Sequence, residues 1–523
     1  MRQWAVVGAF AAVVAAACGQ GSSSSPTAPT APTTPAPVSQ IRLATVLGRP
    51  TDTSIAVSVV AEAGAEISVE YGTSSARYTA QTPVSTATGR GPVVIDVTGL
   101  APDTRYYYRT RARLAGQTAI GADAEQSFHT ARRPGSAFTF GIQGDSHPER
   151  TGKMFSADLY ARNLQNVAGR RPDFYVCLGD DFSIESLINS NQVTTSGVEQ
   201  VYRTQRDFLA AAVAPSTPIF LVNGNHEEAA RYLINGRYNT PFANAAIFAG
   251  SSRVTWFPLP SEGPFYSVDD ATVPGIGPLR DYYAWEWGDA LFVVIDPYWH
   301  SPVPVDAPVP GVTASGDDWA ATIGDAQYQW LKRTLEASRA RWKFVLTHHV
   351  LGTGRGAASL VHLQEWGGYS KKGAYEFPAF RPGWARPIHQ LLKANNVTMV
   401  LFGHDHLFAR EKVDGVIYQS VPNPADNTYT AFNADAYVPS SIRLPGAAYD
   451  AAFGVTMSNS GFLEVSVAPE SVTVSYVRAV LPGDDTRTGG VSNDGVAFSY
   501  VVPKTGDSAR PVSPLVSHSP TQR

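Results

Sequence analysis

Val397-Thr398-Met399-Val400-Leu401-Phe402-Gly403-His404-Asp405-His406 runs from an apolar strand into a glycine turn, then into two histidines flanking an aspartate. Four further stretches repeat the plan. The apolar run 137–142 leads to Gly144-Asp145-Ser146-His147, and 173–178 leads to Gly179-Asp180-Asp181. Likewise 218–222 leads to Gly224-Asn225-His226-Glu227, and 342–346 to Thr347-His348-His349. Short apolar runs bounded by turn residues read as buried strands. Helical patterns near 155–167 and over 198–212, 326–338 and 387–394 lie between them, and 291–295 adds another strand. Strands alternating with helices predict an α/β layered domain. In such domains ligands bind beyond the carboxyl ends of the strands, where all five clusters stand. Runs at 416–418, 462–467, 472–477 and 496–502 predict strands that complete a sheet.

The clusters hold seven oxygen or nitrogen donors, counting one of His348 and His349, either of which can serve. Four of the five carry a glycine just before the first donor, which lets the backbone turn tightly beside an ion. Imidazole and carboxylate suit Fe, Zn or Mn, and no thiolate is on offer. Two ions about 3.5–4 Å apart need a ligand between them. Asp180 is the natural bridge, because its cluster puts one carboxylate directly off a strand. Asp405 and Asp181 read as residues behind the ligands rather than on the metal. Arg150, Arg355 and His300 read as ordinary surface or structural residues. Tyr and Trp within 283–287 read as sheet packing. Trp366 and Trp384 sit in a long segment, 352–384, that with 301–324 is expected to shape substrate choice.

The ordered set GDSH, GDD, GNHE, HH and GHDH resembles the calcineurin-like metallophosphoesterase family. That resemblance implies an α/β four-layer (α/β/β/α) sandwich and a residue-by-residue assignment. Asp145, His147 and His406 would hold one ion, Asn225, His348 and His404 the other, and Asp180 would bridge. It implies His348 rather than His349 as the ligand, with His349 lining the pocket. His226 would be the catalytic histidine, contacting the phosphate and protonating the departing oxygen. Glu227 is expected to orient it. The chemistry fits the residue types, since two cations neutralise a phosphate ester and generate hydroxide near neutral pH.

Residues 41–132 read as all-β, with alternation at Ser54-Ile55-Ala56-Val57-Ser58-Val59 and Glu66-Ile67-Ser68-Val69-Glu70-Tyr71. Leu100-Ala101-Pro102-Asp103 before Tyr106 fits a strand entering a sandwich at a fixed corner. The segment resembles a fibronectin type III domain, such as precedes the catalytic domain of purple acid phosphatases. The expected phosphoesterase domain is 136–503. Two departures from purple acid phosphatases stand out. Ser183 occupies the place of their metal-binding Tyr, and His147 is a donor their first block lacks. The metal pair is therefore left open among Fe, Zn and Mn, without a tyrosinate colour.

Arg2, the apolar run 4–14 and Ala15-Ala16-Ala17 predict a signal peptide over 1–17. Cys18 directly after it resembles the lipidated cysteine of bacterial lipoprotein signals, although Ala15 stands where Leu is usual. Plain cleavage after Ala17 is the alternative. Both place the protein outside the cytoplasm, either as a cell-envelope lipoprotein or as a periplasmic or secreted protein. Residues 18–40, rich in Pro, Ser and Thr, predict a tether, and 504–523 a polar tail. Cys177, the only other cysteine, is expected to be a buried free thiol.

The 523 residues carry 41 basic and 45 acidic side chains, with no long basic run, so a nucleic-acid-binding surface is not indicated. The expected function is hydrolysis of phosphomonoesters by a hydroxide activated by two metal ions. A phosphodiesterase with the same centre is the alternative. In another class stands a surface-binding lipoprotein with an inactive metal domain, against which the complete donor set argues.

Overall fold

The computed structural model describes residues 39–40, 42–306, 308–350, 354–437 and 443–504. The expected signal peptide, Cys18, nearly all of the tether and tail, and 352–353 at the start of the second long segment lie outside them.

The N-terminal part is antiparallel β-structure. Ser54–Val60 pairs with Ala44–Gly48 and Val93–Thr98 in one sheet, and Arg105–Arg113 pairs with Glu66–Gly72 and Gln126–His129 in another. Arg105–Arg113 alternates strictly, turning Tyr106, Tyr108, Thr110 and Ala112 inward. Val57, Val59, Val69, Tyr108 and Phe128 meet in one core between the sheets. The Tyr106 hydroxyl accepts from the Ala101 amide at 2.9 Å, which fixes the corner at Pro102. Arg206 ties this part to the rest. Its buried guanidinium donates to the carbonyls of Ser58 at 2.8 Å and Trp256 at 2.6 Å. Burial without a carboxylate partner pushes it down to about 9.

The α/β part is built on two mixed sheets. In the first, β1 (Phe138–Gln143), β2 (Phe174–Cys177) and β3 (Ile219–Leu221) are parallel neighbours. The second contains β4 (Tyr266–Val268), β5 (Tyr283–Trp287), β6 (Ala290–Val294), β7 (Trp342–Thr347), β8 (Met399–Phe402), β9 (Phe408–Val413), β10 (Val416–Ser420) and β11 (Val455–Met457), in the order β4-β5-β6-β7-β8-β10-β9-β11. The strands β12 (Gly461–Ala468), β13 (Ser471–Arg478) and β14 (Val496–Pro503) extend the first sheet from β1.

Period-two alternation decides the layering. Phe174, Val176, Phe220, Phe292, Phe344 and Leu401 face the space between the sheets. Tyr175, Cys177, Leu221, Val293, Val345 and Val400 face outward and join the helices in a second core. Those helices are α1 (Ala157–Arg170), α2 (Thr195–Ala211), α3 (Ala245–Trp256), α4 (Asp325–Ala337) and α5 (Ile388–Ala394). The inner layer is aromatic: Phe220 stacks on Trp285 with centroids 4.2 Å apart, and Phe140 meets Phe292 edge-on at 5.1 Å. Each fully buried Phe contributes about 2–3 kcal/mol by area removed from water.

Two expectations change. Trp384 stacks on Tyr328 of α4 at 3.9 Å and donates its indole N–H to Asp325 at 2.6 Å. Trp366 is fully buried, edge-on to Tyr418. Both pack the outer core instead of shaping a substrate pocket. The Tyr283–Trp287 strand does pack the sheet, and Cys177 is a buried free thiol. No helix among the described residues is long and apolar enough to cross a membrane.

Candidate metal centre

β1, β2 and β3 run parallel in one sheet, and β7 and β8 run parallel in the other. The five donor loops follow the carboxyl ends of these strands, and their side chains converge on one place. The ligand atoms of Asp145, His147 and His406 lie within 4.8 Å of one another, and so do those of Asp180, His348 and His404. Asn225 joins the second group, its Oδ1 lying 3.1 Å from His348 Nε2. All seven residues are buried.

Each carboxylate is anchored by a backbone amide and turns one oxygen, Oδ2, to the imidazoles. Asp145 accepts the His404 amide on both oxygens, at 2.8 Å on Oδ1 and 3.0 Å on Oδ2, and its Oδ2 also faces His406 Nε2 at 2.9 Å. Asp180 accepts the His226 amide at 2.9 Å on Oδ1. Its Oδ2 faces His348 Nε2 at 3.3 Å and His147 Nε2 at 3.5 Å, one donor from each group.

The imidazoles are aimed by their far nitrogens. His147 Nδ1 donates to Glu149 at 2.9 Å, and His348 Nδ1 donates to the Leu178 carbonyl at 2.8 Å. With Nδ1 engaged in these bonds, each ring aims its Nε2 at the centre, where a bound ion would take its lone pair. His348 Nε2 confronts oxygens of Asp180 and Asn225, so positive charge is needed between them, carried by a proton on the ring or by a metal ion. Burial opposes a charged His348, yet Asp180 and Asp145 outweigh it and raise the ring to about 10. Burial also opposes a charged Asp180, yet His348 and His226 hold its carboxyl far below the usual range. His406 Nδ1 and Asn225 Nδ2 are buried without a hydrogen-bond partner. Two anionic carboxylates, inward imidazole nitrogens and no thiolate fit a pair of Fe, Zn or Mn ions, which would displace the ring protons on binding.

The local backbone is strained toward this arrangement. His147, Asp180, His404 and His406 all have left-handed φ, at 50°, 56°, 68° and 61°. Non-glycine residues in that region cost about 1–3 kcal/mol each and cluster at functional sites. Two of the preceding glycines are dictated by space. A Cβ on Gly224 would strike the Asp180 amide and carboxylate, and one on Gly403 would come within 2.6 Å of Asp145 Oδ1.

The remaining candidates fall around this centre. His226 stands on its rim, its side chain 18% exposed and Nε2 4.0 Å from Asp180 Oδ2. Arg150, expected to be an ordinary surface residue, points its Nη2 at His226 Nε2 at 3.2 Å and pairs with Glu185 at 2.9 Å. Glu227 does not orient the His226 ring. It accepts the amides of Gly224 at 2.8 Å, Asp181 at 3.0 Å and Phe182 at 3.1 Å, and so clamps the β2 and β3 loops together. His349 stacks on His404 with centroids 4.0 Å apart, leaving His348 as the ring beside Asp180. Asp405 turns away, accepting from the Gly356 amide at 2.9 Å and from the Tyr437 hydroxyl. Asp181 is buried behind the centre, held by Gln143 at 2.6 Å and by Ser146, and burial raises it to about 7. Ser183 is buried and its hydroxyl accepts the Glu185 amide at 3.3 Å. Asp306, unremarked in the sequence, brings Oδ2 to 3.4 Å from His404 Nε2.

Facing mixed sheets with helices outside, and a buried His/Asp/Asn centre at the strand ends, define a metallophosphoesterase fold. The chain belongs to the calcineurin-like phosphoesterase family, whose model matches residues 138–408. Membership implies a phosphate ester as substrate. A solved structure of PhoD aligns with a TM-score of 0.61 at 14% identity, over 90% of this chain and 91% of that one. Purple acid phosphatase PPD1 from yellow lupin (Lupinus luteus) seeds aligns with a TM-score of 0.54 at 16% identity, over 88% of this chain and 74% of that one. At such identities the likeness concerns the fold. No curated protein sequence matches the chain.

Proposed function

We propose that the chain is an exported phosphatase that hydrolyses phosphomonoesters at a dinuclear metal centre. Asp145, His147 and His406 would hold one ion and Asn225, His348 and His404 the other, with Asp180 facing both groups of donors. The observation that carries this reading is the place of Asp180 Oδ2, 3.5 Å from a donor of the first group and 3.3 Å from a donor of the second. When bound, the ions neutralise the phosphoryl oxygens and make water acidic enough to serve as nucleophile near neutral pH. The protein supplies the rest. Glu149 and the Leu178 carbonyl keep the two imidazoles aimed inward. His226, the most accessible of these histidines, protonates the departing oxygen at the rim once the phosphate draws the Arg150 guanidinium off its Nε2.

Arg150 favours a monoester over a diester. A monoester brings a second negative charge, and Arg150 places a fixed cation beside His226. A cavity of about 340 Å³ lined by Glu149, Arg150, Lys153, Met154 and Glu185 adjoins that position. Turnover of 4-nitrophenyl phosphate against bis(4-nitrophenyl) phosphate tests the assignment. The monoester is expected to be preferred, and Arg150→Met to lower its kcat/KM about 10- to 100-fold, as for loss of a charge-assisted hydrogen bond. The diester should change far less. A preference for the diester, indifferent to Arg150→Met, would make the enzyme a phosphodiesterase.

The domain plan remains part of this reading. Residues 1–17 direct export, Cys18 carries a lipid, and 41–132 form a fibronectin type III-like domain before the phosphoesterase domain at 136–503. The Tyr106 corner and the two antiparallel sheets support the third of these.

A further inference from the structure

Asp269 and Asp281 flank the short hairpin of Thr272–Val273 and Gly277–Pro278, and His300 follows β6. The two aspartates are buried, at 4% and 2% exposure, and the His300 side chain is 15% exposed. One ligand atom from each lies within 4.8 Å of the other two. The carboxylates divide their oxygens as Asp180 does. Asp269 Oδ1 accepts the Ala271 amide at 2.9 Å, and Asp281 Oδ1 accepts the Tyr282 amide at 3.0 Å. Both Oδ2 atoms then turn to His300 Nε2, at 3.5 Å and 3.1 Å.

One imidazole cannot satisfy both. Nε2 carries a single proton, and the hydrogen bond goes to Asp281. Asp269 Oδ2 is buried with no hydrogen-bond partner. Among the described residues no Lys or Arg pairs with either carboxylate. Two buried carboxylates thus crowd one ring nitrogen: burial pushes Asp281 up to about 7, and the two aspartates outweigh burial to raise His300 to about 10, so without a metal ion the cluster must hold extra protons.

We propose that Asp269, Asp281 and His300 form a third cation site, separate from the dinuclear centre. Two carboxylate oxygens and one imidazole nitrogen suit Zn²⁺ or Mn²⁺, with water completing the shell. Ca²⁺ would need about six to eight oxygen ligands, more than this site supplies. A cleft of about 510 Å³, lined by His300, Asn235, Thr322 and Arg381 among others, gives the ion a route from solvent. The consequence is positional. His300 stands at the root of segment 301–324, whose Asp306 reaches His404. A cation there would pin that root to the hairpin and so steady the side of the dinuclear centre that Asp306 touches. This assignment is independent of the phosphatase reading.

Anomalous diffraction from crystals of the whole chain grown with saturating Mn²⁺ tests it. The expected result is a peak between the three side chains, within bonding distance of all three donor atoms. No peak there overturns the proposal, whether or not the dinuclear centre is filled. The isosteric Asp269→Asn variant gives a second measurement: folded protein should bind one Mn²⁺ fewer than the wild type by elemental analysis. An unchanged metal count would overturn the site equally.

Discussion

Asp180→Ala is expected to lower kcat/KM on 4-nitrophenyl phosphate by at least about 10³-fold, the upper order seen when one group stabilising transition-state charge is removed. Metal content should fall with it. Three roles converge on this side chain. Its Oδ2 faces donors of both groups, its Oδ1 anchors the His226 amide, and its charge compensates the rings around it. Removing the carboxylate leaves His348 Nε2 without the anion that favours a cation beside it. The His226 amide loses its acceptor as well, so the rim histidine shifts. A variant that retains wild-type turnover with two bound ions would remove Asp180 from the centre.

His226→Ala is expected to separate chemistry from metal binding. The ring coordinates nothing in the proposed assignment, so metal content should hold at the wild-type level. The rate effect should depend on the leaving group. An alkyl phosphate departs as a strongly basic alkoxide and needs its proton, so the loss should be about 10²–10⁴-fold, the usual range for a general acid. 4-Nitrophenolate is a weak base and departs without much help, so its loss should be smaller. Equal losses on an alkyl phosphate and on 4-nitrophenyl phosphate would assign His226 to phosphate binding instead of proton transfer.

Much of the centre was legible because it is encoded locally. A strand end fixes where the next few residues stand, so an apolar run followed by Gly and a donor already places that donor. Phe174–Cys177 before Asp180 and Met399–Phe402 before His404 show the rule. The glycines follow from the same crowding, as the space around Gly224 and Gly403 shows. The place of Asp180 off the end of its strand could be read from the cluster alone, but the aim of His147 and His348 could not, since the Leu178 carbonyl carries no sequence signal.

Features set by distant packing were not legible. Arg150 and His226 are 76 positions apart, and nothing in either segment announces their contact. Asp269, Asp281 and His300 share no spacing motif, and their meeting depends on the hairpin and the end of β6. Glu227 was read through its neighbour His226, whereas its partners are amides from two loops. The strand Phe408–Val413 escaped because it carries Arg410, Glu411 and Lys412. Arg410 is accommodated over the rings of Phe453 at 4.1 Å and Tyr500 at 4.5 Å, both far away in sequence. The helix Ala245–Trp256 is buried on several sides, including Ala246, Ala249 and Arg253, which erases the one-sided pattern that marks a surface helix.

The central claim is that turnover depends on ions held by this donor set. Its most direct test strips the wild-type protein with a chelator, then measures bound metal and 4-nitrophenyl phosphate turnover on the same sample as Mn²⁺ or Zn²⁺ is returned. Turnover should be at background in the stripped protein and rise as the centre refills. Full turnover in protein shown to be metal-free would contradict the account.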